Sequence, residues 1–138
     1  MTDKALRCSL SEMQGALFEM SGAEGYDSKT FIRVFMRSKI AEGLDSDFDF
    51  TQWAGKEYIM ERMKEEYPEG FSQKGIVFDS ETLYWAGYLY RYWHFYTGES
   101  SKDIYKQADA QTVNTMYYGY HTLDIEMAID RLKEAKKK

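Results

Sequence analysis

One cysteine, one proline and two histidines in 138 residues exclude several classes of protein at the outset. Cys8 has no partner for an internal disulfide. It also lies outside any Cys-x-x-Cys context, so neither a disulfide scaffold nor a thiol nucleophile is expected. His94 and His121 have no Cys or His companion at ligand spacing. Carboxylate pairs such as Glu57 with Glu61 lack a matching histidine motif and read as a solvated face, so no metal and no cofactor is expected. Gly15, Gly22 and Gly25 do not follow a strand, as a phosphate loop requires. No apolar run approaches the roughly 20 residues of a membrane span, because Arg91 and His94 break the richest stretch. Residues 1–9 lack the apolar core of a secretory signal, which points to the cytoplasm. The net charge of −5 disfavours tight non-specific binding to nucleic acid.

What the chain has in excess is aromatic. Eight of the thirteen residues from Tyr84 to Tyr96 are Tyr, Trp or Phe. On a helix, Trp85, Leu89, Tyr92, Trp93 and Tyr96 form one stripe, while Tyr84, Tyr88 and Phe95 occupy a second side. Such an element is either the central helix of a bundle or one whose second face docks on a partner. A strand through Tyr88, Tyr90 and Tyr92 is the alternative, since alternating tyrosines also suit a sheet.

Helix boundaries are legible elsewhere. Ser9 with Glu12 reads as a capping box, followed by the stripe Leu10, Met13, Leu17 and Met20. Asp27 is placed to cap a helix carrying Phe31, Val34, Phe35 and Ile40, with Tyr26 and Phe31 as a hydrophobic staple, ending near Gly43. A third helix over residues 51–66 buries Trp53, Ile59, Met60 and Met63 before Pro68. Residues 68–77 read as a connector. Asp79 repeats the cap, Gly98 ends the aromatic helix, and Ser100 or Ser101 begins a shorter one. Asp109 opens another turn or two, Gly119 breaks the chain, and a last helix over residues 121–136 carries Ile125, Ala128, Ile129, Leu132 and Ala135. The methionines fall at helical spacing and read as core. The expected fold is all-α, one domain over 1–138 with about six helices.

The order of segments suggests duplication. Asp27-Ser28-Lys29-Thr30-Phe31 resembles Ser100-Ser101-Lys102-Asp103-Ile104, and residues 58–65 resemble residues 127–134, at offsets of 73 and 69. The difference of four matches a longer acidic loop at residues 45–49. Two three-helix units, 9–67 and 79–136, joined by 68–78, would then pack together. The alternative is that two amphipathic helices share a similar ending by chance.

Residues 90–132, with Thr97-Gly98, the Ser100 to Tyr105 segment, Tyr120-His121-Thr122 and a closing Ile129-Asp130-Arg131-Leu132, resemble a family of small uncharacterised bacterial proteins about half this length. Members tend to be encoded beside ADP-ribosyltransferase-like toxins. The resemblance implies an antitoxin or accessory role with a toxin as partner, and it brings no catalytic residues.

Three functions follow as expectations. The first is a non-catalytic protein–protein interaction module, with Tyr88, Tyr90, Arg91, Tyr117, Tyr118, Tyr120 and His121 as candidate partner-binding residues, because Tyr gives contact area and a polar handle at low entropic cost. The partner is another protein, a toxin under the resemblance, or a second copy in a homodimer. The second is a helix-turn-helix regulator over residues 101–118, supported if Lys102, Lys106 and Arg91 form one basic patch. It is opposed by the absence of Arg or Lys between Gln107 and Tyr120, where phosphate and base contacts would be needed. The third is a small enzyme in which His121, Tyr120 and Asp124 converge in a pocket; the plainer reading of His121 is a residue packed at a helix start.

Overall fold

The computed structural model of the chain describes residues 4–46 and 54–137. These form α1 (Lys4–Ala23), α2 (Ser28–Met36), α3 (Lys39–Asp45), α4 (Lys56–Glu66), a 3-10 turn (Pro68–Gly70), α5 (Ser80–Thr97), α6 (Ser101–Gln107), α7 (Ala110–Tyr120) and α8 (Ile125–Lys137). The fold is all-α, with no strand among the described residues, and the aromatic segment is helical. No helix there is long and apolar enough to cross a membrane.

Among the described residues eight α-helices stand where about six were expected, in part because the helix expected to run to Gly43 breaks at Ser38. The Ser38 hydroxyl donates to the Phe35 carbonyl at 2.6 Å and accepts from the Ala41 N–H at 3.1 Å. One side chain thus closes α2 and caps α3. Among the described residues the halves 4–66 and 80–137 hold four helices each, not three. Trp53 and the expected helix start at residue 51 lie outside the described residues, and α4 begins after Gly55, whose φ is +84°.

Three expected caps form. Asp27 accepts from the Thr30 N–H at 2.9 Å, Ser100 from Asp103 at 3.2 Å, and Asp109 from Thr112 at 2.9 Å. Two do not. Ser9 lies inside α1, because Lys4, Ala5, Leu6 and Arg7 are good helix formers and carry the helix past it. Asp79 occupies the cap position of α5 without a side-chain hydrogen bond. The last helix starts at Ile125 rather than His121, with Asp124 accepting from the Glu126 N–H at 2.9 Å. Gly119 remains within α7, which runs three turns.

Asp27 does more than cap. Its second carboxylate oxygen accepts from the Ile76 N–H at 2.8 Å, while its own N–H donates to the Ser72 carbonyl at 2.7 Å. The Ser28 hydroxyl accepts from the Phe78 N–H at 2.8 Å. These bonds hold the connector against the start of α2, where Gly75, at φ +143°, is required because a Cβ there would strike the Asp27 carboxylate. Tyr26 and Phe31 both meet Phe71 edge-on, at 4.9 and 5.6 Å between centroids, so the staple closes on a ring from the connector.

The largest helix interface joins α1 and α5, which run antiparallel. Two glycines let the backbones meet. A Cβ on Gly15 would stand 2.8 Å from the Tyr84 carbonyl oxygen, and one on Gly87 would fall on the Gln14 carbonyl. Behind this crossing Phe18 packs edge-on to Phe31, Phe35 and Tyr90 at 5.8, 5.5 and 6.2 Å, within one core that draws on both halves of the chain. Met36, Met60 and Met63 belong to that core, whereas Met127 is exposed.

Glu99 ties the far end of α5 to α6 and α8. It accepts from Trp93 Nε1 at 2.9 Å, Gln107 Nε2 at 2.6 Å and Lys133 Nζ at 2.7 Å. Burial alone would raise this carboxyl, but the hydrogen bonds from Lys133, Trp93, Gln107 and Thr97 outweigh it and hold it at about 2.

Two measurements test these contacts. Gly87→Ala is expected to lower the unfolding free energy by about 1–3 kcal/mol through overpacking. Gly119→Ala, whose Cβ would meet nothing within 4 Å, is expected to raise it by about 0.5–1 kcal/mol; equal effects in urea unfolding would refute the close crossing. Because the Glu99 carboxyl is depressed in the folded state, its contribution is present above the ordinary carboxylate range and is lost as pH falls from about 5 toward 2. Glu99→Gln should therefore remove on the order of 1–3 kcal/mol of that acid-dependent loss, read as a flatter curve of urea midpoint against pH.

Candidate functional site

The candidate residues divide between core and surface. Tyr90 and Arg91, read from sequence as partner contacts, are 1% and 0% exposed and cannot present a surface. Tyr90 donates its hydroxyl to the Ala108 carbonyl at 2.7 Å, fixing the chain between α6 and α7. Burial pushes that hydroxyl well above its usual range, with smaller contributions from Tyr105 and Asp109.

Arg91 is the centre of a buried polar group. Its Nε donates to Gln14 Oε1 at 2.8 Å, Nη1 to Asp45 Oδ1 at 2.6 Å and Nη2 to Ser101 Oγ at 3.2 Å. Asp45 also accepts from the Ser101 hydroxyl and N–H, each at 2.8 Å. Gln14 completes the chain by donating to the Gly87 carbonyl at 3.1 Å. Burial lowers the guanidinium from its ordinary range, and Asp45 opposes that shift. At the margin, His94 Nδ1 donates to the Glu99 carbonyl at 2.7 Å and stands 3.8 Å from Asp45 Oδ1. The sequence did not reveal this assembly, whose members come from α1, α3, α5 and α6.

Tyr88 is half-buried in a row with Tyr84 and Tyr92, the rings 6.4 and 6.1 Å apart. Burial first, then Cys8, Glu12 and Tyr84, push its hydroxyl up to about 12. Tyr92 and Tyr96 turn their hydroxyls onto α8, donating to Glu126 at 2.8 Å and Asp130 at 3.0 Å. Much of the aromatic excess is therefore spent on helix packing within the chain.

The end of α7 differs. Tyr118 is 88% exposed. Tyr117 stacks on His121 at 4.3 Å and 14°, meets Trp85 edge-on at 5.6 Å, and donates to Glu81 at 3.3 Å. His121 Nδ1 donates to the Tyr117 carbonyl at 2.7 Å. Residues 110–123 contain no charged side chain in a chain that is 30% charged.

Tyr120 instead faces a cleft of about 230 Å³ with Met116, Lys106 and Leu132. Asp124 caps α8, and His121 stands in solvent against Tyr117. The three groups of the enzyme reading are thus engaged separately. Nor do Lys102, Lys106 and Arg91 form one patch: the two lysines line a cleft with Arg37 and Tyr105, while Arg91 is interior. Among the described residues, no group of three His, Cys, Asp or Glu is arranged to hold a metal ion.

Removing one member of the buried pair should be costly. Asp45→Ala leaves Arg91 charged and enclosed, and is expected to lower the unfolding free energy by about 3–5 kcal/mol. Adding Arg91→Met should recover much of the loss; a double variant as unstable as the sum of the singles would show that the two side chains act independently.

Compared with known proteins, the chain matches no family model, no curated protein and no solved structure.

Proposed function

We propose that this chain is a non-catalytic interaction module that docks a protein partner through the outer face of α7, with Tyr118 as anchor and Tyr117 and His121 beside it. The observation that carries the reading is Tyr118, a large ring 88% exposed in the middle of fourteen residues without charge. Interface cores are depleted in charged residues and enriched in Tyr, and Tyr anchors recur among the residues that dominate binding. Trp85 packs against Tyr117, so that ring is already in contact with α5 before docking and has less conformational freedom to lose. The rim is acidic at Glu81 and Asp124, which favours a partner with basic residues around an aromatic-accepting pocket. Under the resemblance described above, that partner is an ADP-ribosyltransferase-like toxin of a bacterial toxin–antitoxin-type system, with this chain as neutraliser or helper. The unpaired thiol of Cys8 fits a reducing cytoplasmic setting.

A second copy of the chain is the second reading, favoured by the same lack of charge. Two chains of net charge −5 repel at most orientations, whereas two α7 faces meet without opposing like charges.

Tyr118→Ala is expected to leave the unfolding free energy within about 0.5 kcal/mol, as an exposed position should. It should also weaken partner retention by about tenfold or more, the scale of a Tyr anchor. Affinity capture from the native host with the native chain and the variant in parallel decides it. One protein retained near one to one by the native chain and lost by the variant supports the reading. Equal retention by both, or recovery of the bait alone, overturns it. Sedimentation of the purified chain separates the homodimer, which Tyr118→Ala should dissociate.

A further inference from the structure

The clearest concentration of positive charge lies on another face. Arg33 lies in the last turn of α2 and Arg37 caps its C-terminus four residues on, while Lys102 and Lys106 stand one turn apart on α6. Like charges at this spacing oppose helix formation, yet here two such pairs converge. Arg37, Lys102 and Lys106 line one cleft of about 480 Å³, with Tyr105 and Asp109. Arg33 shares the adjoining cleft with Arg37. Both arginines act electrostatically on the Tyr105 hydroxyl, and both lysines share the cleft that Tyr105 lines.

Their charges are little offset. Among the described residues neither Arg33, Arg37 nor Lys102 has a carboxylate within ion-pair distance, and Lys106 has only an exposed contact to Asp103 at 3.6 Å. Asp109, on the cleft wall, has one carboxylate oxygen engaged in capping α7. Tyr105 is half-buried and tilted on Tyr90 at 6.4 Å between centroids, which fixes its ring. Tyr105 lines the cleft, and a phenol hydroxyl can donate to an anion bound there.

We propose that this cleft between α2 and α6 binds a small phosphate-bearing ligand, its oxygens held by Arg37, Lys102 and Lys106 and by the Tyr105 hydroxyl, with Arg33 at the rim. The volume fits a metabolite-sized molecule. Arginine gives planar, paired donors to phosphate and lysine adds point charge. An anion in this position relieves the repulsion within both pairs, which Asp103 and Asp109 offset only in part. The site is concave and short, and α7 beside it carries no basic residue. That favours a small anion over a polynucleotide, whose backbone needs contacts extended along a track.

The test is a titration of the full chain, isotopically labelled for nuclear magnetic resonance, with inorganic pyrophosphate at constant ionic strength. Saturable shifts at Arg37, Lys102, Tyr105 and Lys106, with a rise in melting temperature as ligand is added, are expected. Arg37→Gln and Lys102→Gln should each weaken binding about tenfold, the effect of losing one charge-assisted hydrogen bond. Both should melt no lower than the native chain in the absence of pyrophosphate, since each removes a repulsion. Shifts no larger than sodium chloride produces, or binding unchanged in both variants, would overturn the assignment. So would an oligonucleotide that displaces pyrophosphate and binds with a steeper salt dependence. Tighter binding of adenosine monophosphate than of inorganic phosphate would support a nucleotide as the source of the group; equal binding would support free phosphate. Tyr118→Ala should bind pyrophosphate as the native chain does, which keeps this site separable from the α7 face.

Discussion

A full positive charge enclosed in the protein constrains the arrangement of the helices around it. Arg91 has no exposed surface, and an uncompensated guanidinium in that position would cost several kcal/mol. Its compensation comes from three directions: the amide of Gln14 on α1, the carboxylate of Asp45 at the end of α3 and the hydroxyl of Ser101 at the start of α6. The crossing of α1 over α5 must place Gln14 within reach, which the paired glycines Gly15 and Gly87 permit. Asp45 must leave α3 at the point where α6 begins. A shift in any of these elements would leave charge or amide unpaired in a low-dielectric interior. The buried group therefore selects one packing among those the apolar residues alone would allow.

The remaining charge is sorted by face. Carboxylates serve as fasteners: Glu99 for α5, α6 and α8, Asp27 for the connector, Glu126 and Asp130 for the tyrosines of α5. Cations with little pairing gather where α2 meets α6. Between these regions the surface of α7 carries polar but uncharged side chains. Segregation of this kind is not required by the core, which is satisfied by the apolar residues of both halves.

The parts of the fold that were legible in the sequence depend on near neighbours. Asp27, Ser100 and Asp109 reach amides three residues ahead, so their caps could be read directly. The buried residues of α4 and α8 followed from spacing along one helix. Ser9 misled because cap chemistry is also compatible with a helix interior when the preceding residues favour helix. Arg91 was placed on a surface because its partners Gln14, Asp45 and Ser101 lie 77, 46 and 10 residues away, and a charged residue reads as exposed until such partners are known. Tyr118 was legible as a tyrosine that offers contact area and a polar handle, although its exposure, in contrast to the burial of Tyr90, depends on which helix covers which. The cationic cleft was not legible, since Arg33 and Arg37 are separated from Lys102 and Lys106 by more than sixty residues and meet only through the packing of α2 on α6.

The same packing brings the two candidate sites onto opposite ends of one helix. Tyr105 and Asp109, the residue that caps α7, both form part of the cleft wall. Tyr118 lies near its last residue. At 1.5 Å per residue an eleven-residue helix keeps the two ends on the order of 15 Å apart, so an anion held by Arg37 and Lys102 does not touch a partner docked on Tyr118. The positive end of the α7 dipole favours an anion on the cleft side, whereas the carboxylates of Glu81 and Asp124 border the other end. Any influence of one site on the other must therefore pass through the position of α7 as a body. That position is fixed at its start by Tyr90 holding the Ala108 carbonyl and near its end by Tyr117 packing on Trp85, both of them anchored on α5.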